Sequence, residues 1–470
     1  MDVHSRRINV RASVSQAYTH KQIAEALSEL RGIEAALKVL TSDITTGAFA
    51  SEVLRKLADR EKMKAPDISL ASSLVYIMMR RKELWENIAG RFMRSQEKLP
   101  VQVSVGITMG TGGILELRRF SEGVLINGII DYLKRREETA KYASVANAVL
   151  HKVSETGGEI LEAMSKSSVL EERAMYSGIP VWSLPAWLKT WSRPELGDIF
   201  AMMLQPACAS LRPTPGKLDE LSALLQAQEI RYYPSDISSA LRLASTVLPV
   251  NVPGFSSGLC TVQSESSILA ASLVGKFYEG GRILDMCSGR GVKACQILQE
   301  CPDSQIECWD ISEGRSKSAA GEFSRLGLTD RAVFRVGDAV VLEPEVQPSF
   351  VVLDAPCSCS GTWTRKPESK WRLDWQKLDG FAGIQTKLLE HAVSLCKPGG
   401  HVLYVTCSLL KQENENVVAQ VLMNHTDCSD MTGLIGWRGS MFRKGKPYGI
   451  YIWPRNAWLD GFYCALILKK

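Results

Sequence analysis

From Val262 onward the chain alternates short apolar runs with helix-forming stretches, and this alternation restricts the fold more than any other feature. Ile283 to Met286, Gln305 to Asp310, Val333 to Val336, Phe350 to Leu353 and His401 to Val405 have the composition of successive strands. Val292 to Glu300, Ser316 to Leu326 and Trp375 to Cys396 have that of the helices between them. Strands separated by helices become parallel neighbours through crossovers, so the spacing predicts a mostly parallel sheet covered on both faces. In such sheets ligands lie beyond the carboxyl ends of the strands, and the residues closing each strand become the first candidates for chemistry.

The first strand of R-I-L-D-M-C-S-G-R-G-V-K ends at Asp285. The chain then passes through Cys287, Ser288, Gly289, Arg290 and Gly291 and enters a helix at Val292 and Lys293. Glycines there let backbone approach a ligand at the positive end of a helix, although one such loop is a weak signal. Asp310 closes the next strand about 20 residues on, where an acid can hydrogen-bond ribose hydroxyls, and Arg315 follows it into the next helix. Asp338, in V-G-D-A, closes a third strand and can meet an adenine edge. Any one of these acids alone reads as a loop or cap carboxylate. Three at successive strand ends fit S-adenosylmethionine better than NAD.

The fourth strand end is Asp354-Ala-Pro-Cys357 and the fifth is Val405-Thr-Cys407-Ser408. If these strands are neighbours, both thiols and the carboxylate face one crevice. Such a set suits methylation at C5 of cytosine, a poor nucleophile until a thiolate adds at C6 and makes the ring enamine-like. A carboxylate near N3 and the exocyclic amine stabilises the adduct, and a second thiol can assist release. Either Cys alone would read as a small buried hydrophobe.

The 470 residues are too many for one ordinary core. Residues 21–165 read as an all-α domain, with helical spacing at Ile33, Ala36, Leu37 and Leu40, at Leu125, Ile129 and Leu133, and at Val145, Val149 and Val153. Its clusters Arg80-Arg81-Lys82, Arg118-Arg119 and Lys134-Arg135-Arg136 are either phosphate contacts or solvated helix faces. Residues 170–261 read as a small mixed α/β module with a helix at Leu218 to Ala227 and Arg212, Lys217 and Arg231 available for phosphates; residues 262–470 hold the parallel sheet. Residues 1–20 carry Arg6, Arg7 and Arg11 against Asp2, a basic arm or an organellar transit segment.

A net charge of +5 permits a polyanionic partner without requiring one. The 12 cysteines lack the C-x-x-C and His spacing of a zinc site and read as reduced thiols, so no metal is expected. No apolar run is long enough to span a membrane, and the chain reads as a cytoplasmic monomer.

L-D-M-C-S-G-R-G-V-K, D-A-P-C-S-C-S-G, R-K-P-E-S-K-W, K-P-G-G-H-V-L-Y-V-T-C-S and L-D-G-F-Y-C-A together resemble the RsmB-like members of the Sun family of RNA (cytosine-5) methyltransferases. The resemblance extends upstream through V-Q-S-E-S-S, L-R-P-T-P-G-K, S-L-V-Y-I-M-M-R-R and V-A-N-A-V-L. It implies a NusB-like RNA-binding domain, a small pre-catalytic module and a Rossmann-like class I methyltransferase domain using S-adenosylmethionine on ribosomal RNA, either small-subunit particle or precursor. It also implies that Cys407 attacks C6, Cys357 promotes release, Asp354 contacts the base and Lys293 sits near it. Arg365 to Trp371, beyond the Pro-Cys turn, reads as an RNA-contacting loop. Departures are Ser288-Gly289-Arg290-Gly291-Val292 for the usual Ala-Ala-Pro-Gly-Gly, Cys359-Ser360 for Gly-Thr, and Thr214 for Asn. Two rival readings are a DNA cytosine methyltransferase, with the thiol roles exchanged, and a non-catalytic RNA-binding factor.

Overall fold

The computed structural model describes residues 20–46, 48–93, 98–117, 120–244 and 251–470, with backbone alone over 20–28. The basic arm and the Arg118-Arg119 pair lie outside the described residues. The chain divides into two compact units, Met1–Val181 and Trp182–Lys470.

The first unit is helical: α1 (His20–Thr46), α2 (Ala50–Glu61), α3 (Ala65–Arg80), α4 (Lys82–Gly90), α5 (Val101–Glu116), α6 (Glu122–Lys134), α7 (Glu137–Ala140), α8 (Ala143–Ser165) and α9 (Leu170–Ser177). Helix α5 is the inner one, because its glycines admit neighbours that a methyl would exclude. A Cβ at Gly110 would lie 2.7 Å from Leu150, and one at Gly113 would lie 2.5 Å from Leu125. The expected stripes from Ile33 to Leu40 and from Leu125 to Leu133 are buried. Val145 departs from expectation: it is 43% exposed, and Ala146 takes its place beside Val149 and Val153. Each i+4 step turns a helix about 40° past a full turn, so three positions so spaced fan out by about 80°.

The basic residues of this unit are largely engaged. Arg81 pairs with Glu116 and stacks over Trp85 at 4.7 Å and Tyr176 at 5.2 Å. Arg135 meets Glu34 at 2.8 Å and Arg136 lies over Tyr132 at 4.1 Å.

The second unit opens with α10 (Leu184–Thr190) and α11 (Arg193–Met203), the latter started by a Ser192–Glu195 capping box. An antiparallel sheet follows, in the order β2 (Tyr232–Pro234), β3 (Leu241–Leu243), β1 (Ser210–Pro213), β4 (Cys260–Val262), with α12 at Leu218–Ala227 as expected. Arg212 is not available for phosphate: it is 3% exposed and donates to Gln263 at 2.8 Å.

The large sheet has α13 (Glu265–Phe277), β5 (Arg282–Asp285), α14 (Val292–Glu300), β6 (Gln305–Asp310), α15 (Glu313–Arg325), β7 (Ala332–Val336), β8 (Phe350–Asp354), α16 (Pro367–Lys370), α17 (Trp375–Leu395) and β9 (His401–Thr406). Strands β7-β6-β5-β8-β9 are parallel in that order, so the order reverses between β5 and β8. A crevice at such a reversal is where this topology binds ligands. After α18 (Glu415–Asn424), β10 (Cys428–Asp430), β11 (Phe442–Lys444), β12 (Ile450–Ile452) and β13 (Phe462–Lys469) add an antiparallel wing, with β13 pairing along β9. Among the described residues no helix is long and apolar enough to cross a membrane.

Candidate active site

A cleft of about 610 Å³ opens at the β5–β8 reversal, and Asp285, Gly289, Asp310, Asp338, Asp354 and Lys366 are among the residues that line it. The loop after β5 is built to stay open. Ser288 donates its N–H to the Trp309 carbonyl at 2.9 Å, tying the loop to β6. Gly289 (φ +58°) donates its N–H to Asp310 at 3.0 Å. Gly291 (φ +75°) starts α14, and a Cβ there would lie 2.9 Å from the Phe323 ring. Glycine meets both demands, conformational and steric.

Asp310 also accepts the Ser312 N–H at 2.7 Å and pairs with Arg315 at 3.1 Å, so the residue expected at a ribose also fixes the loop. Asp338 accepts the Val340 N–H at 3.0 Å and lies on the cleft wall. Cys287, Val292 and exposed Arg290 line the cleft too. Burial, followed by the charges of Asp285 and Asp354, pushes the Cys287 thiol far up.

Asp285 is 1% exposed, and one of its carboxylate oxygens has no partner. Burial, reinforced by the nearby Asp354 charge, raises it to about 7. By strand position it ranks with Asp310, yet its full burial is a tertiary property that strand position does not carry.

The other half of the site lies where β8 and β9 end side by side. Asp354 is in register with Val405, which brings the following turns onto one edge. The Cys357 and Cys407 sulfurs are 3.3 Å apart, so the expected juxtaposition is present. Lys293 reaches across from α14 to Asp354 at 2.5 Å; burial works against its positive charge, but the carboxylate prevails and its pKa is raised.

Beneath the thiols, fully buried Glu413 accepts the Ser358 N–H at 2.8 Å, the Ser358 and Ser408 hydroxyls, and Gln385 at 3.2 Å. One carboxylate thereby joins the two turns that carry the thiols. Gly361 donates to the Cys407 carbonyl at 2.9 Å and accepts from Gly461 at 2.8 Å, an approach that leaves no room for a side chain at Gly361.

Cys359 adds a third thiol. Its φ is +59°, a conformation costing a residue with a β-carbon about 1–2 kcal/mol, and its sulfur lies within 4.8 Å of the other two. Hydrogen bonds toward Cys359 and Cys407, with burial, push Cys357 up, while Cys359 is drawn well down by its neighbours' S–H groups. For Cys407 the Cys357 hydrogen bond pulls downward, but the one toward Cys359 and burial outweigh it, leaving it at about 12. Lys366, at the cleft edge, favours the thiolate forms of Cys359 and Cys407.

The segment from Arg365 to Trp371 departs from the expected RNA-contacting loop. Arg365 pairs with Asp460 at 2.6 Å and donates to the Cys208 carbonyl at 2.7 Å, and Lys370 is 2% exposed. Arg365 fastens the thiol turn to the rest of the unit and Lys370 is buried, leaving Lys366 as the exposed cation of this run. Lys366 lies within the quoted R-K-P-E-S-K-W run without a role of its own there, and Glu413, six residues past Cys407, was not singled out by the sequence and carries no signal without the fold.

Residues 273–468 match the family described as 16S rRNA methyltransferase RsmB/F, and residues 22–155 match the NusB family. A probable ribosomal RNA small subunit methyltransferase B from Synechocystis sp. is 26% identical over 448 residues, covering 90% of this chain and 96% of the relative. The ribosomal RNA small subunit methyltransferase B of Xanthomonas campestris pv. campestris is 30% identical over 313 residues, covering 63% and 70%. In fold the chain is similar to the crystal structure of PH0851 (TM-score 0.76, 22% identity, 94% of this chain and 99% of that one). It is also similar in fold to a methyltransferase homologue from Pyrococcus horikoshii (TM-score 0.53, 23% identity, 65% and 100%). With a NusB-family region ahead of the RsmB/F region and a relative of this identity and coverage, the chain belongs to the family of ribosomal RNA small subunit methyltransferases B.

Proposed function

We propose that the chain methylates C5 of a cytosine in small-subunit ribosomal RNA using S-adenosylmethionine, with Cys407 as nucleophile. The observation that carries this is the 3.3 Å approach of Cys407 to Cys357 in the turn after Asp354, which lines the cleft at the sheet reversal. The cleft offers carboxylates and cations in equal number, four of each, as a zwitterionic nucleoside requires. Asp285 supplies an unpartnered buried oxygen, Asp310 would hold the ribose hydroxyls, and Asp338 would meet the adenine edge. The loop from Cys287 to Lys293, with Arg315 beyond it, surrounds the rest. Bound there, S-adenosylmethionine supplies the electrophilic methyl that an activated C5 takes.

The residues of the chain do the rest. Cys407, once deprotonated, forms a bond to C6 and drives electron density toward C5. Asp354, fixed by Lys293, holds N3 and the exocyclic amine, where the adduct gathers charge and a proton. Water takes the C5 proton, the C–H pair restores the C5–C6 double bond, and the sulfur–C6 bond breaks with its electrons returning to Cys407, a release that Cys357 assists from 3.3 Å. The reactive edge of a paired cytosine is covered, so the base is presented unstacked or flipped out.

Bisulfite sequencing of ribosomal RNA from cells with and without the protein tests the activity, and loss of one 5-methylcytosine is expected. Cys407→Ala abolishes methylation, whereas Cys357→Ala traps a covalent RNA adduct that runs with the protein in denaturing gels. Full turnover by Cys407→Ala overturns the assignment. A covalent adduct with DNA that depends on Cys357 instead favours the DNA reading.

A further inference from the structure

Cys357, Cys359 and Cys407 place three sulfurs within 4.8 Å of one another, and no other group of this kind converges among the described residues. The pattern is a C-S-C chelate from one turn completed by a thiol from the next. We propose that this triad is a binding site for a thiophilic divalent ion of the zinc type, held by three thiolates with the fourth position left for water or another ligand.

Three sulfurs each about 2.3 Å from a tetrahedral zinc lie about 3.8 Å apart. Here one pair is at 3.3 Å and all are within 4.8 Å, so closing on a metal requires only small side-chain movements. The three thiols are partly exposed, while the polar scaffold of Ser358, Ser408 and Glu413 behind them is buried. Three thiolates leave one tetrahedral position for water or an incoming ligand.

The surroundings supply what a three-thiolate site needs outside its ligands. One divalent ion with three thiolates carries a net negative charge, and Lys366 and Lys293 bring ammonium groups to the same region. The Thr362 hydroxyl, which donates to the Cys359 carbonyl at 3.0 Å, lies 3.9 Å from the Cys407 sulfur, where a thiolate can compete for its proton. The left-handed backbone at Cys359 carries the third ligand at a position where glycine would be easier, and that strain is matched by a structural result, the completed triad.

Occupancy would take Cys357 and Cys407 out of reaction with RNA, making the ion a reversible inhibitor. That consequence rests on the proposed catalytic roles; metal binding itself does not. The test uses the full chain, reduced with a phosphine, titrated with Co(II) and then with Zn(II). One Co(II) per chain with a thiolate-to-cobalt charge-transfer band in the near ultraviolet, displaced by Zn(II), is the expected result. Cys359→Gly and Cys359→Ser weaken binding by more than about 100-fold, while Cys208→Ser leaves it unchanged. The proposal is overturned by absence of the band in wild-type chain that unfolds cooperatively, by a band that survives in both Cys359 variants, or by one that disappears with Cys208. The readout needs neither cofactor nor RNA, so failure of the methylation reading does not disturb it.

Discussion

Asp285→Asn is the substitution whose effect follows most directly from the structure. In the folded chain burial, helped by the Asp354 charge, lifts this carboxyl from 3.8 to about 7. The folded state therefore holds a proton that the unfolded state releases near pH 4. Stability is fullest below that pH, falls as pH rises through about 7, and is level beyond. At about 1.4 kcal/mol for each tenfold change in proton affinity, the loss is about 4 kcal/mol. Asparagine carries no proton to lose, so its stability lacks this fall whatever fixed offset its amide introduces. Urea unfolding of the ligand-free protein at steps from pH 4 to 8 should show the variant gaining about 4 kcal/mol on the wild type across that interval. Parallel curves would refute the reasoning, because they would mean Asp285 is ionised in the folded state at all these pH values. A cationic cofactor bound beside Asp285 draws its proton off. Binding in the wild type then weakens about tenfold per pH unit below 7, with proton release visible by calorimetry in buffers of different ionisation enthalpy, and neither effect remains in the variant.

Three further outcomes can be checked. Since the Cys407 thiol stands at about 12, single-turnover methylation should accelerate about tenfold per pH unit between pH 6 and 9, and a rate level above pH 7 would contradict this. Lys366→Met removes a charge that favours the Cys407 thiolate and lowers that rate throughout. Glu413→Ala leaves the Ser358 N–H, two hydroxyls and Gln385 without their shared acceptor; it should cost about 3 kcal/mol or more and depress turnover far more than cofactor affinity, as parallel calorimetry and methylation assays would reveal.

The parallel half of the sheet was legible because its signals are local. Gln305–Asp310 and Val292–Glu300 have the expected bounds, and the other strands and helices of that half agree within a few residues, each marked by an apolar run, a glycine turn or an acid at its end. The antiparallel wing was not. Strands β10, β11 and β12 are three residues each, too short for alternation to register, and β13 is buried on both faces for most of its length. The thiol pair was legible through its strand ends, given that β8 and β9 are neighbours. Arg365 and Arg212 show the opposite case: an arginine in a polar run reads as exposed until the fold supplies Asp460 or Gln263 to turn it inward. Glu413 is of the same kind, since only the packed turns reveal the donors around it.

The contact between Gly361 and Gly461 bears on the order in which the molecule becomes an enzyme. The glycine loop and the cleft acids come from β5 through β8, all synthesised before β9, whereas the thiol turn rests on the backbone of Gly461, just ahead of β13. A nascent chain folding from its amino end closes its cofactor cradle first and aligns its sulfurs last. Chemistry on RNA is thereby withheld until the later strands have docked, so a chain interrupted between β9 and β13 would hold cofactor and remain inert.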